Sequence, residues 1–237
     1  INGGSLRNAI PRESSALVTV DAISKEAFLR ETALLISNIK EEFSTIESNL
    51  TIDILETTLP EKVMELGVQE GLLKSIYAAF NGAYRMSPDI IDLVETSNNI
   101  ARVVVKNGHI KISCLTRSSS ETNKIDLANS LKAAFELSGL EVELSGEYPG
   151  WQPNIDSEIL DIVSKLYENL HGEKAKVEAC HAGLECGILG QNYPKIDMVS
   201  FGPTIRGAHS PDERAGILST QKFWKFLIEI LKNIPKK

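Results

Sequence analysis

Near its C-terminal end the chain runs Ser200-Phe-Gly-Pro-Thr-Ile-Arg-Gly-Ala-His-Ser-Pro-Asp-Glu213, so a single histidine sits in a Gly- and Pro-rich loop directly after an apolar run. An imidazole at a strand edge is a ligand for a divalent metal, and the polar turn that follows His209 restrains the backbone carrying it. By spacing alone His209 is either such a ligand or a solvated loop residue, because the nearest strong donors are scattered. In His181-Ala-Gly-Leu-Glu-Cys-Gly187, glycines let the backbone approach a ligand closely, and a helix opening there aims its N–H groups outward. Arg117 ends an apolar strand ahead of Ser118-Ser-Ser120, and its planar fork suits a carboxylate; the alternative is a surface arginine over a hairpin. Asn8, in Leu6-Arg-Asn-Ala-Ile-Pro11, reads from its local sequence as a turn residue before proline. His181 either contacts a ligand or caps a strand, while His109 and His171 read as hairpin and helix-end residues.

Four longer stretches carry a resemblance. They are Ile1-Asn-Gly-Gly-Ser-Leu-Arg-Asn-Ala-Ile-Pro-Arg-Glu13, Glu147-Tyr-Pro-Gly-Trp-Gln-Pro153, the His181–Gly187 segment, and Asp197-Met-Val-Ser-Phe-Gly-Pro-Thr204 followed by His209-Ser-Pro-Asp-Glu213. In this order they resemble the aminoacyl-histidine dipeptidases, the bacterial Xaa-His or carnosine-type enzymes of the two-zinc metallopeptidase superfamily. The resemblance implies hydrolysis of a dipeptide by a water shared between two zinc ions, with manganese or cobalt as possible substitutes. It makes His209 the C-terminal metal ligand, with Glu213 a neighbour of the ligand shell, and places Gly183 and Glu185 in the lining of the active site. It gives Arg117 and Asn8, on the lid, to the substrate's carboxylate and to the substrate or oxyanion.

The resemblance starts in the middle of the family's chain. The family's His-x-Asp ligand pair, bridging aspartate and Glu-Glu general-base pair are not found, since Glu41-Glu42 falls within an amphipathic helical pattern. The expectation is a C-terminal portion of such an enzyme, with no catalytic base of its own and inactive alone. The intact protein is expected to be a cytoplasmic homodimer built by pairing lids. A non-catalytic dimerisation or binding module descended from the lid is the alternative, as is a full enzyme formed with a separate N-terminal chain.

Composition narrows the classes. With 237 residues, 42% hydrophobic, the chain can build a sizeable core, and its formal charge of −7 without a basic cluster argues against nucleic acid. No apolar run approaches the roughly 20 residues that span a bilayer. Three cysteines, Cys114, Cys180 and Cys186, form no paired framework, and Cys180-His181 with Cys186 lacks zinc-knuckle spacing, so reduced thiols are expected.

The elements that must position these residues follow from periodicity. Strands are expected at 16–20, 50–55, 101–105, 109–115, 140–144, 176–180 and 196–201. Helices are expected from Ser24 through about Ile46, from Pro60 to about Phe80, and over 120–138, 157–170, 184–189 and 220–232. Asn107-Gly108 predicts a tight hairpin. The sum is an α+β domain over 1–146, a mostly antiparallel sheet with helices on one face, followed by an α/β segment over 147–237.

Overall fold

The computed structural model describes residues 1–179, 185–208 and 212–234. In chain order its elements are β1 (Asn2–Gly3), β2 (Ser14–Ser15), α1 (Lys25–Glu42), α2 (Leu66–Ala78), β3 (Gly82–Met86), β4 (Val94–Lys106), β5 (His109–Ser118), α3 (Glu121–Glu136), α4 (Glu158–His171), α5 (Glu185–Asn192), β6 (Ile205–Arg206), β7 (Arg214–Ala215) and α6 (Ile217–Asn233). One sheet runs β2-β1-β4-β3, with β5 on β4, and a separate two-stranded ladder joins β6 to β7. The fold is therefore mixed α/β around an antiparallel sheet. Two compact units divide the chain, one of residues 1–74 and 100–113, the other of 75–99 and 114–237.

In the first unit, β1 pairs antiparallel with both β2 and β4, Asn2 opposite Ser15 and Val104. Gly4 follows at φ 70°, and a Cβ there would stand 1.9 Å from the Ala101 carbonyl oxygen, so only glycine lets this backbone lie against β4. Ser24 occupies the position before α1, but its own backbone is already helical and its hydroxyl makes no capping bond, because a 3₁₀ turn over Ala22–Ser24 feeds the helix. Pro60 does not open the next helix. The chain stays irregular to Glu65, whose carbonyl accepts from Gln69 N–H at 2.9 Å, and α2 begins at Leu66.

The long hairpin is more extensive than its apolar pattern. Asn107 at φ 54° and Gly108 at φ 76° form the tight turn expected of Asn-Gly. β4, however, begins at Val94 and contains Thr96 and Asn98, both buried, and β5 continues to buried Ser118. These polar side chains are satisfied inside. Thr96 and Ser118 hydroxyls lie 2.8 Å apart, Asn98 Nδ2 donates to Phe80 O at 2.7 Å, and Thr116 Oγ1 donates to Asn98 Oδ1 at 3.1 Å. A buried polar group is tolerated once it is bonded, so hydrophobicity alone misses this half of the strand. β3, absent from the sequence expectation, pairs antiparallel with β4 from Gly82 opposite Asn98 to Met86 opposite Val94.

In the C-terminal part, Val163 of α4 and Phe226 and Ile230 of α6 form a buried core with Val199 packed on it. The α4 N-terminus is capped twice. Ser157 Oγ accepts Leu160 N–H at 3.1 Å and donates to Asp197 Oδ2 at 2.8 Å, and the same carboxylate accepts Ile159 N–H at 3.1 Å. At the other end Gly172, φ 72°, closes α4 in the left-handed conformation.

The strands expected at 16–20, 50–55, 140–144, 176–180 and 196–201 pair with nothing among the described residues, and Cys180 lies outside them. They run without regular structure, with Leu55, Leu144, Val177, Ile196 and Phe201 exposed. A strand's backbone bonds are made with another strand, so periodicity marks the segment and a partner must complete it.

Replacing buried Asn98 by alanine removes its part-buried bonds to the Phe80 carbonyl and the Thr116 hydroxyl and leaves a cavity between β4 and β5. The expected loss is about 2–3 kcal/mol in denaturant unfolding, and an unchanged midpoint would show the bonds to be dispensable. Partial burial pushes the Asp197 carboxyl up, but hydrogen bonds from Ile159 N–H, Ser157, Asn154 and Met198 N–H outweigh it and hold the carboxyl below its ordinary 3.8. A depressed folded value means that its stabilisation is fully present above the unfolded value and is lost as pH falls through the folded one. The wild-type melting temperature should thus fall below about pH 4 more steeply than that of Asp197→Asn; parallel pH profiles would refute the assignment.

Candidate active-site rim

The end of β5 is held from three sides. Besides the Thr96–Ser118 contact, Ser119 N–H donates to Glu95 O at 3.1 Å, and Ser118 Oγ accepts Ser120 N–H at 3.0 Å. The Glu95 carboxylate accepts Asn123 Nδ2 at 2.7 Å and meets Arg85 Nε at 3.3 Å, which binds β3, β4 and the start of α3 into one corner. Arg117 stands one residue before this corner, half-buried. Its guanidinium makes no ion pair or hydrogen bond with the described residues, so a fixed strand end presents an uncompensated fork of donors.

Two close backbone approaches lie beside it. A Cβ on Gly150 would stand 2.3 Å from Ser118 O, and one on Gly187 would stand 2.5 Å from Pro149 O. The end of β5, the Tyr148–Trp151 segment and the first turn of α5 are thus stacked backbone on backbone. Glu185 is the first residue of α5, exposed, two residues ahead of Gly187. Burial pushes the Cys186 thiol up, and the Glu185 charge adds to this, so the neighbouring sulfur is no activated nucleophile.

The structure brings the Arg117 strand end and the Glu185 helix start to opposite sides of one layer of backbone. His181 and Gly183 lie outside the described residues, as does His209. The base of the His209 loop is described: β6 pairs with β7, Ile205 opposite Ala215, and Gly216 N–H donates to Thr204 O at 3.0 Å. Thr204 N–H in turn donates to Ser219 Oγ at 3.0 Å, tying the loop base to the first turn of α6. Asn8 belongs to the first unit, exposed in a turn closed by Ala9 N–H to Leu6 O at 3.1 Å.

Among the described residues no three His, Cys, Asp or Glu side chains are grouped so as to hold a metal ion. Those residues alone therefore do not make a metal centre. Sequence reasoning also passed over Glu121 and Lys124. Glu121 Oε1 accepts Gly150 N–H at 2.8 Å, and Lys124 Nζ donates to Tyr148 O at 2.7 Å. The available signal was an acid in the first turn after Ser120, with a lysine three residues on.

A family model described as Peptidase family M20/M25/M40 matches residues 16–233. The chain is 36% identical over 237 residues to the cytosol non-specific dipeptidase of Escherichia coli K12, covering all of this chain and 49% of that protein. Among solved structures it matches the aminoacylhistidine dipeptidase of Vibrio alginolyticus with TM-score 0.87 and 37% identity, over 100% of this chain and 48% of that one. The aminopeptidase PepT of Bacillus cereus, at TM-score 0.58 and 17% identity over 71% of this chain and 45% of its own, shares the fold. The chain spans about half the length of the relatives it matches. With the family match covering most of its residues, and the stacked strand end, glycines and helix start all lying inside it, the chain belongs to peptidase family M20/M25/M40.

Proposed function

We propose that this chain is the substrate-rim and C-terminal part of a metal-dependent dipeptidase, one that hydrolyses Xaa-His dipeptides of the carnosine kind. The observation that carries the reading is Arg117, a half-buried residue whose guanidinium has no partner among the described residues, at the end of a strand anchored by buried polar bonds. Such a fork, carried on an anchored strand end, matches in shape and charge the terminal carboxylate that every dipeptide has. Asn8 is read as a second substrate contact, and Gly183, Glu185 and His181 as the opposite lining. His209 supplies one metal ligand from a loop with a hydrogen-bonded base. The remaining ligands, two zinc ions in all, and the general base belong to the half of the relatives' length that this chain does not match.

In this reading residues 1–146 form a lid that pairs two subunits, and 147–237 return to the catalytic domain. The unpaired apolar segments support a larger sheet, because their backbone groups lack strand partners among the described residues and Val177, Ile196 and Phe201 are left exposed. A cytoplasmic setting is part of the same proposal. A relative is named a cytosol dipeptidase, and no helix among the described residues is long and apolar enough to cross a membrane. The alternative, a non-catalytic lid module, gives no role to the fastened His209 loop.

The test uses the whole protein with β-alanyl-histidine and its C-terminal amide. Arg117→Ala should raise KM for the dipeptide about 10- to 100-fold, the value of a charge-assisted bidentate pair, with Arg117→Lys between. Turnover of the amide should not respond; equal losses on both substrates would remove Arg117 from carboxylate recognition. His209→Ala should lower the zinc content by about one ion per chain and cut activity beyond the about 10- to 100-fold typical of losing an outer-shell group. Full zinc occupancy in that variant would exclude His209 as a ligand.

A further inference from the structure

The Tyr148–Trp151 segment lies between the two walls of the rim and is fastened by one side-chain pair. Glu121 Oε1 accepts both Gly150 N–H at 2.8 Å and Lys124 Nζ at 2.9 Å, and Lys124 Nζ also donates to Tyr148 O at 2.7 Å. Two backbone groups, two residues apart, are thus held by two side chains one helical turn apart on α3. Lys124 is 12% exposed at its side chain, so its ammonium reaches Tyr148 from a buried stem. Burial pushes the Glu121 carboxyl up, yet the Lys124 and Gly150 bonds and the Lys124 charge hold it lower, so the acceptor stays ionised at neutral pH.

The consequence follows from the two glycines. Gly150 touches Ser118 and Ser119 with no side chain between, and Gly187 touches Pro149 and Gly150 in the same way. Movement of the middle segment is therefore passed on directly to its neighbours, the strand end that carries Arg117 and the helix start that carries Glu185. α3 follows β5 after only Ser119 and Ser120, so the latch fastens the segment back to the very strand end it touches.

We propose that Glu121 and Lys124 are positioning residues: by clamping Tyr148 O and Gly150 N–H they set the spacing between the Arg117 strand end and the first turn of α5, and so the fit of the dipeptide. The inference rests on the reading of Arg117 as the carboxylate anchor. Neither residue touches substrate.

The experiment takes the whole protein with Glu121→Gln and Lys124→Met, measuring KM and kcat on β-alanyl-histidine, melting temperature, and hydrogen exchange of the 145–152 segment. The expected result is faster exchange there, KM raised about 5- to 10-fold for the loss of one charge-assisted bond, and kcat within about two-fold. Glu121→Asp should recover part of the KM. Lys124→Met keeps the Glu121–Gly150 bond, so it decides the matter if Glu121→Gln does not fold. Faster exchange with unchanged KM would overturn the positioning role and leave the reading of Arg117 standing. A proportionate fall in melting temperature and kcat at constant KM would also overturn it, as the signature of a merely structural latch. Absence of dipeptide hydrolysis in the wild-type protein would remove both the reading and the inference, while the exchange data would still report the latch itself.

Discussion

A contact between two hydroxyls, Thr96 and Ser118 at 2.8 Å, governs how the long hairpin ends and therefore where the chemistry-bearing residues stand. Both side chains are buried, so neither can trade its partner for water, and β4 and β5 are locked together well beyond their apolar stretch. From that lock the serines after Arg117 turn the chain into α3, with Glu95 gathering Arg85 and Asn123 around the corner. Asn98 repeats the arrangement two residues along, bonded to Phe80 and Thr116. The backbone that carries Arg117 is thereby fixed, one residue before the corner.

Much of this was legible in the sequence, and the failures share a cause. Asn107-Gly108 specified its turn because only residues tolerant of positive φ fit there. Ser157 and Gly172 bounded α4 for equally local reasons. What local pattern could not reveal was polar burial, so the Glu95–Asn99 half of β4 read as loop until its bonds were seen. β3 lacks any apolar alternation, Gly82-Ala-Tyr-Arg-Met86 being exposed throughout, so only its pairing with β4 defines it. Pro60 illustrates the opposite error. A proline permits a helix start, but Glu65 holds the first accepting carbonyl, and α2 begins after it.

The candidate site divides in the same way. Arg117 could be proposed from residue type and context, since an arginine at a strand end is a local feature, whereas Glu185 was proposed through the family resemblance. Glu121 and Lys124 could not, because their role depends on Tyr148 and Gly150, 24 and 29 residues away. The glycines of the His181–Gly187 segment are expected to let the backbone approach a ligand; Gly187 instead closely approaches the Pro149 and Gly150 backbone, and Gly150 the backbone of Ser118 and Ser119.

The apolar segments that found no ladder carry the last step. Residues 50–55, 140–144 and 196–201 have strand composition, and helices α4 and α6 already bury Val163, Phe226 and Ile230 against Val199. A helix layer with one extended neighbour is part of an α/β arrangement, in which helices cover the faces of the sheet and further strands pair the open backbone edges. The relatives, twice as long, have the length to supply such strands. Within this chain the extended 196–201 segment leads into a hydrogen-bonded loop base, Gly216 N–H on Thr204 O and Thr204 N–H on Ser219 Oγ, at the first turn of α6.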